Sequence, residues 1–205
     1  MTEQDPLPAG PAVEAGDAAR AEMYVLLGSL LAGPPDEAIL EMLQEIDAGE
    51  GADATPMTAI WQSLQAAARA TDPERLADEY FRLFIGLGRG ELVPYASFYI
   101  HGFLMEKVLA SLRNELHQLG FELQEGVSEP EDHVAALCET MGMIISESGL
   151  SLEEQSAFFQ TYIASWMGPF FAELSDAESA DFYRAVARLG QQFLEIESQY
   201  LSMQM

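Results

Sequence analysis

The sequence predicts an all-α fold: a single compact helical domain of about eight or more helices, possible also as two packed helical halves joined by a hinge loop. Three observations predict it. Apolar residues recur at helical spacing almost without a break from residue 17 onward. Helix-start signals of the Asp-Pro, Thr-Pro and Ser-x-x-Glu kinds punctuate that pattern. No convincing strand, hairpin or internal repeat interrupts it. With 205 residues, 49% of them hydrophobic, a compact chain buries roughly 70% of its unfolded surface and needs no disulfide or metal staple.

Residues 1–16, rich in Pro, Ala, Gly and acids, read as a disordered tail, and residues 17–205 as the helical domain. Asp17 is placed to cap a first helix whose stripe is Met23, Leu26, Leu27, Leu30 and Leu31, stopped at "GPP". Asp36 opens a second helix with Ile39, Leu40, Leu43 and Ile46. After the loop "DAGEGADA", Thr55 and Pro56 start a third that buries Met57, Ile60, Trp61 and Leu64. Asp72 and Pro73 repeat that start for a fourth, ending at Gly86. A glycine-rich loop leads to a long helix from about Ser97 to Leu119, stopped by Gly120. The next begins in "SEPEDH": Ser128 or Glu129 caps it, Pro130 sits where no N–H is needed, and Glu131 and Asp132 face the positive end of the helix dipole. Its stripe is Val134, Leu137, Cys138, Met141 and Ile145. Ser151 and Glu154 form a capping box for a helix that Pro169 breaks or kinks. Ser175 and Glu178 form another, for a last helix with Phe182, Val186, Leu189, Phe193 and Ile196 inward.

Charge excludes several function classes. Nine basic against 34 acidic residues leave a net −25, with Arg20 the only cation in the first 68 residues. Such a surface repels nucleic acid and anionic lipid and attracts cationic partners. The longest apolar stretch near the start is too short to span a bilayer, and no basic region precedes it, so a cytoplasmic protein without membrane insertion is expected. One cysteine, Cys138, allows no internal disulfide and no multi-cysteine metal site. His101 and His117 show no HxxxH or ExxH partnership with His133, and neighbours Asp132 and His133 point about 100° apart on a helix. No metal or cofactor is expected. The loop "GLGRGEL" has alternating glycines but no preceding strand and no Gly-Lys-Ser/Thr ending, which favours a tight helix-to-helix loop over a nucleotide site.

Two stretches remain. "EYFRLFIGLGRGELVPYASFYIHG" carries aromatics on several helix faces, more than one face can bury, which makes an apolar groove plausible. "EPEDH" holds His133, which capping does not explain. "YFRLF" (Tyr80–Phe84), then "VPYASFY" (Val93–Tyr99), then "EPEDH" (Glu129–His133) resemble, in type and order, the motifs of the TorD/DmsD family of molybdoenzyme maturation chaperones, with NarJ-type proteins as more distant relatives. The resemblance covers most of the chain beyond the tail. It implies a cytoplasmic chaperone, not an enzyme, that binds the twin-arginine leader and the apo form of a molybdopterin-containing oxidoreductase, aids cofactor insertion and delays export. Carried over by position, Tyr80, Leu83, Phe84, Pro94, Tyr95 and Ser97 line or support the peptide groove. Glu129 and Pro130 shape the turn, and Asp132 and His133 lie at the polar end or hinge. It further implies a mainly monomeric protein with a minor domain-swapped dimer. A protein that binds or hydrolyses GTP through the glycine loop, and an acidic adaptor whose aromatics are all core, are the alternatives.

Overall fold

The computed structural model describes residues 15–49, 55–101, 106–121 and 129–203. Among these residues the chain is all-α, as the periodicity predicts. The first four helices are α1 (Ala15–Ala32), α2 (Glu37–Glu45), α3 (Pro56–Ala70) and α4 (Pro73–Tyr80), the last running into a π-helical segment, Phe81–Ile85. Then come α5 (Ala96–His101), α6 (Glu106–Gln118) and α7 (Val134–Ser146). The chain closes with α8 (Leu152–Phe159), a second π-helical segment (Gln160–Ala164), α9 (Met167–Asp176) and α10 (Phe182–Met203). The first 14 residues of the expected tail, and Ser128, lie outside the described residues.

Several starts are those the sequence announces. The carboxylate of Asp36 accepts the amide of Ile39 at 2.9 Å, and that of Asp72 accepts the amide of Arg75 at 3.0 Å. Thr55 and Thr58, and likewise Ser151 and Glu154, cap reciprocally. Two caps differ from expectation. Asp17 lies inside the first turn of α1, which begins at Ala15, and its carboxylate pairs with Arg20 at 2.6 Å. The last helix does not start at Ser175 and Glu178, because α9 runs through to Asp176 with Pro169 in its first turn. Instead α10 begins at Phe182, where the carboxylate of Glu79, reaching across from α4, accepts the amides of Asp181, Phe182 and Tyr183 at 2.8, 3.2 and 2.8 Å. A buried carboxylate is stable there because three N–H groups without intrahelical partners meet it at the positive end of the helix.

The core is one continuous cluster. α1 lies along α7, and α10 packs on α9 and α3. Contact between α1 and α7 is backbone-close: a Cβ on Gly28 would stand 2.9 Å from Glu139 Cγ, and one on Gly142 would stand 3.2 Å from Val25 Cγ2. Trp166, Phe170, Phe171, Tyr183 and Leu189 are fully enclosed. Ile196, expected inward, is 44% exposed, while its neighbour Glu197 is completely buried. The reason is electrostatic. Arg20 of α1 grips Glu197 through Nε and a terminal nitrogen, both at 2.7 Å, while its other terminal nitrogen meets Asp17 at 2.6 Å and Gln155 at 3.2 Å. This fork turns α10 so that the acid faces in and the isoleucine faces out.

Glu79 is a nonlocal cap, so its loss exposes no new surface but strands three amides. Glu79→Ala is expected to lower unfolding free energy by about 2–4 kcal/mol, and Glu79→Gln, which keeps an acceptor oxygen, by about half that. Urea denaturation at pH 7.5 measures both; equal losses would show that the charge and the amides do not act together.

Candidate functional site

Local structure around "YFRLF" begins with an amphipathic turn that changes pitch. α4 delivers Tyr80, whose hydroxyl donates to the Leu31 carbonyl at 3.2 Å, and the π-helical segment closes with the Gly86 amide on the Phe81 carbonyl at 2.7 Å. Leu83 is fully buried. Phe84 is partly buried and its ring meets those of Tyr80, Tyr183 and Phe170 at centroid distances of 4.9, 5.5 and 6.4 Å. The glycine loop then folds back: the amides of Glu91 and Leu92 donate to the carbonyls of Arg82 and Leu83 at 3.2 and 2.8 Å. A Cβ on Gly86 would strike the Arg89 carbonyl, and one on Gly90 would sit 2.5 Å from the Leu83 carbonyl oxygen. These glycines are therefore explained by tight backbone packing.

The same fold-back carries Pro94–Ser97 against the turn before α7. The Val134 amide donates to the Pro94 carbonyl and the Ala96 amide to the Asp132 carbonyl, both at 2.9 Å, making an isolated antiparallel bridge centred on Tyr95 and His133. The two rings stack edge-on, 5.1 Å between centroids. Asp132 Oδ2 accepts the Ser97 amide at 3.1 Å, so its carboxylate caps α5 from outside. Glu129 Oε2 accepts the Tyr95 hydroxyl at 2.7 Å. The residues that the sequence separates by some 30 positions are thus stitched into one assembly: Pro94, Tyr95 and Ser97 on one side, Glu129, Asp132 and His133 on the other, with Tyr80 close enough for Glu129 to raise its pKa, burial being the larger cause.

α7 starts later than "SEPEDH" predicts. Pro130 through Asp132 form a turn closed by the His133 amide on the Pro130 carbonyl at 3.0 Å, and the helix begins only at Val134. His133 is its cap: Nδ1 accepts the Ala135 amide at 3.2 Å. The histidine that capping by Ser128 or Glu129 left unexplained is itself the capping residue, and because Nδ1 accepts, the ring is neutral with its proton on Nε2. Burial pushes the imidazole below its usual range, while Glu129 and Asp132 pull the other way. Asp132, His133 and Ser97 are all buried, and only Glu129 of the predicted polar set is exposed.

Sequence reasoning passed over the apolar residues that face water here. Phe81 is 40% exposed, Ile85 54% and Leu87 99%. Their signal was present: Phe81 lies off the Tyr80, Leu83 and Phe84 face, and Ile85 follows it at i+4. Nothing in the periodicity marks Leu87. Two clefts formed by described residues lie elsewhere. One, about 450 Å³, is lined by Glu115, Leu119, Leu150, Phe158 and Tyr162 between α6 and α8; the other, about 570 Å³, by Phe159, Leu194 and Gln199 among others. The motif assembly is a partly exposed aromatic and acidic face, and the glycine loop connects it in the chain to the exposed apolar residues Phe81, Ile85 and Leu87. Such a face can bind an extended apolar segment and a cation. No group of three or more potential metal ligands occurs among the described residues.

Comparison with known proteins places this geometry in context. The family model described as Nitrate reductase delta subunit matches residues 50–172, which includes all three motif stretches. The chaperone protein TorD of Vibrio parahaemolyticus serotype O3:K6 is 29% identical, over 92% of this chain and 97% of that protein. The chaperone protein TorD of Shewanella loihica is 28% identical, over 89% and 93%. The fold is that of a proposed redox enzyme maturation protein from Archaeoglobus fulgidus, with a TM-score of 0.59 and 22% identity over 94% of this chain and 99% of the other.

A neutral buried cap makes stability depend on pH. The unfolded imidazole titrates near 6.5 and the folded one lower, so as pH falls through 6.5 the unfolded chain takes up a proton first and stability drops, by at most about 1.4 kcal/mol per pH unit. Above 6.5 both states are neutral and the contribution is complete. His133→Asn keeps a capping oxygen without that titration. Its unfolding free energy is expected to change less than wild type's between pH 7.5 and 5.5; parallel pH dependence would place the sensitivity elsewhere.

Proposed function

The chain belongs to the nitrate reductase delta subunit family, and from that premise we propose that it is a cytoplasmic maturation chaperone for a molybdopterin-containing oxidoreductase, holding the twin-arginine leader and apo form of its client before export. The observation that supports the reading is the stitched assembly of Tyr95, Asp132 and His133, with half-buried rings and a surface acid, in a chain that also leaves Phe81, Ile85 and Leu87 facing water just before the glycine loop. A twin-arginine leader joins two guanidinium groups to an apolar stretch. Buried against such a run, the apolar part gains roughly 25 cal/mol for each Å² removed from water, and carboxylates on the same face fix its orientation. The curated relatives named TorD are chaperones, and a binding protein of this kind makes and breaks no bond.

The residues assigned here divide by role. Leu83, Pro94, Ser97, Pro130, Asp132 and His133 support the face, because they are buried or bound to backbone. Tyr80, Phe84, Tyr95 and Glu129 remain available to a ligand, and Ile85 and Leu87 join them. A nucleotide role for the glycine loop is less favoured, since Gly86 and Gly90 already answer to packing.

Titration calorimetry with synthetic leaders of dimethyl sulfoxide, trimethylamine N-oxide, nitrate and formate oxidoreductases tests the reading. At least one leader is expected to bind, and Ile85→Asp, at an exposed position, is expected to weaken it by about tenfold or more without shifting Tm. A panel with no binder would refute leader recognition. A binder indifferent to Ile85→Asp would move the groove away from this face.

A further inference from the structure

The turn before α7 carries four ionisable side chains. Asp132 and His133 are buried and committed to the backbone amides of Ser97 and Ala135, and Glu129 is exposed with one oxygen on the Tyr95 hydroxyl. Glu131, the position between the family's proline and its Asp-His pair, is different. Its Oε1 accepts Arg113 Nε of α6 at 2.6 Å, yet its Oε2 is buried without a hydrogen-bond partner among the described residues, and the residue as a whole is only 6% exposed. A buried carboxylate oxygen left open is an unstable arrangement that calls for a reason. The geometry supplies one. The contact with Arg113 is one-pronged, whereas a guanidinium fork satisfies both oxygens of a carboxylate at once. The backbone on either side of Glu131 is pinned, by the His133 amide on Pro130 and by Asp132 on Ala96 and Ser97, so the acceptor is held in place before any ligand arrives. Arg113, by contrast, has a side chain 53% exposed, and a half-solvated side chain can give way.

We propose that Glu131 is the acceptor for a guanidinium group of the bound leader, which takes both carboxylate oxygens and replaces Arg113, so that Arg113 is a built-in competitor. This rests on the leader-binding reading. It assigns the specificity for arginine over lysine to Glu131, because an ammonium offers no two-pronged fork.

The experiment uses the tightest-binding peptide of the leader panel, its copy with both arginines replaced by glutamine, and a Lys-Lys copy. Glu131→Gln is expected to weaken the arginine peptide by about tenfold or more and the glutamine copy by less than about twofold, and to bring the arginine and lysine peptides closer in affinity. Arg113→Gln is expected to tighten the arginine peptide by about threefold or more relative to Arg75→Gln, an exposed variant of the same charge change. A merely structural Arg113 would weaken binding or leave it unchanged, and that result overturns the inference even where Glu131→Gln fails to fold. Equal losses by Glu131→Gln on the arginine and glutamine peptides also overturn it and leave leader binding standing. Wild-type protein that binds no leader overturns both.

Discussion

A carboxylate taken out of water in this molecule is stable only where backbone amides or a guanidinium meet it, and the architecture follows from that constraint. Of the 34 acids, four are buried among the described residues: Glu79, Glu131, Asp132 and Glu197. Two of them are met by helix N-termini. Glu79 of α4 gathers the first amides of α10, tying residues about 100 positions apart. Asp132 does the same for α5. Glu197 and Glu131 take cations: Glu197 takes Arg20, with Tyr24 and Gln155 completing the set, and Glu131 takes Arg113. Amide donors carry no charge of their own, and a carboxylate that they meet at a helix start is stabilised by the helix dipole. The long-range field of the protein stays strongly negative without a repulsive core.

That constraint shapes the functional face. Because Asp132 and His133 are caps, their side chains are fixed by backbone geometry and cannot also reach outward. On the leader-binding proposal, their contribution is the rigidity of the turn that bears Glu129 and Glu131. The bridge between Tyr95 and His133 transmits that rigidity to the segment behind the glycine loop, and Tyr99, hydrogen-bonded to Glu173 at 2.7 Å and packed on Trp166, anchors α5 to the core. Support and contact therefore fall on different residues of the same motif. A substitution at Asp132 acts through the positions of α5 and the turn together, so lost affinity there cannot be read as a lost contact.

How much of this was legible in the sequence depends on the range of the interaction. Caps made by a residue three positions upstream, at Asp36, Thr55, Asp72 and Ser151, were readable because donor and acceptor share one short stretch. The start of α10 was not, because its acceptor comes from α4, and the local Ser175 and Glu178 pattern mimics a start inside a helix that continues. The inward turn of Glu197 over Ile196 was hidden for the same reason: Arg20 lies 177 positions away. Motif order named segments that do meet in the fold, and it put Asp132 and His133 at the polar end or hinge of a groove without revealing that both are caps. The start of α7 explains why. Pro130 and the acids after it satisfy every rule for a first helical turn, yet they form a separate turn, and pairing of Asp132 and Val134 with Pro94 and Ala96 holds His133 extended and delays the helix to Val134.

Net charge and local chemistry then act at different stages of binding. The field of a −25 protein draws a cationic segment from beyond contact distance, but salt screens it over roughly 8–10 Å, and an exposed ion pair contributes only about 0–1 kcal/mol. Attraction of that kind cannot distinguish two arginines from two lysines. Discrimination requires acids held in fixed geometry and shielded from water, where a two-pronged hydrogen-bonding partner differs from a point charge. The turn that carries Glu131 meets both requirements, since its backbone is pinned on each side and its side chain is enclosed. The exposed apolar residues Phe81, Ile85 and Leu87 carry no charge information, and any gain there comes from area removed from water. On the leader-binding proposal, approach, register and retention fall to different parts of the molecule, and the rigidity of the turn that bears Glu131 originates in a histidine and an aspartate that no ligand needs to touch.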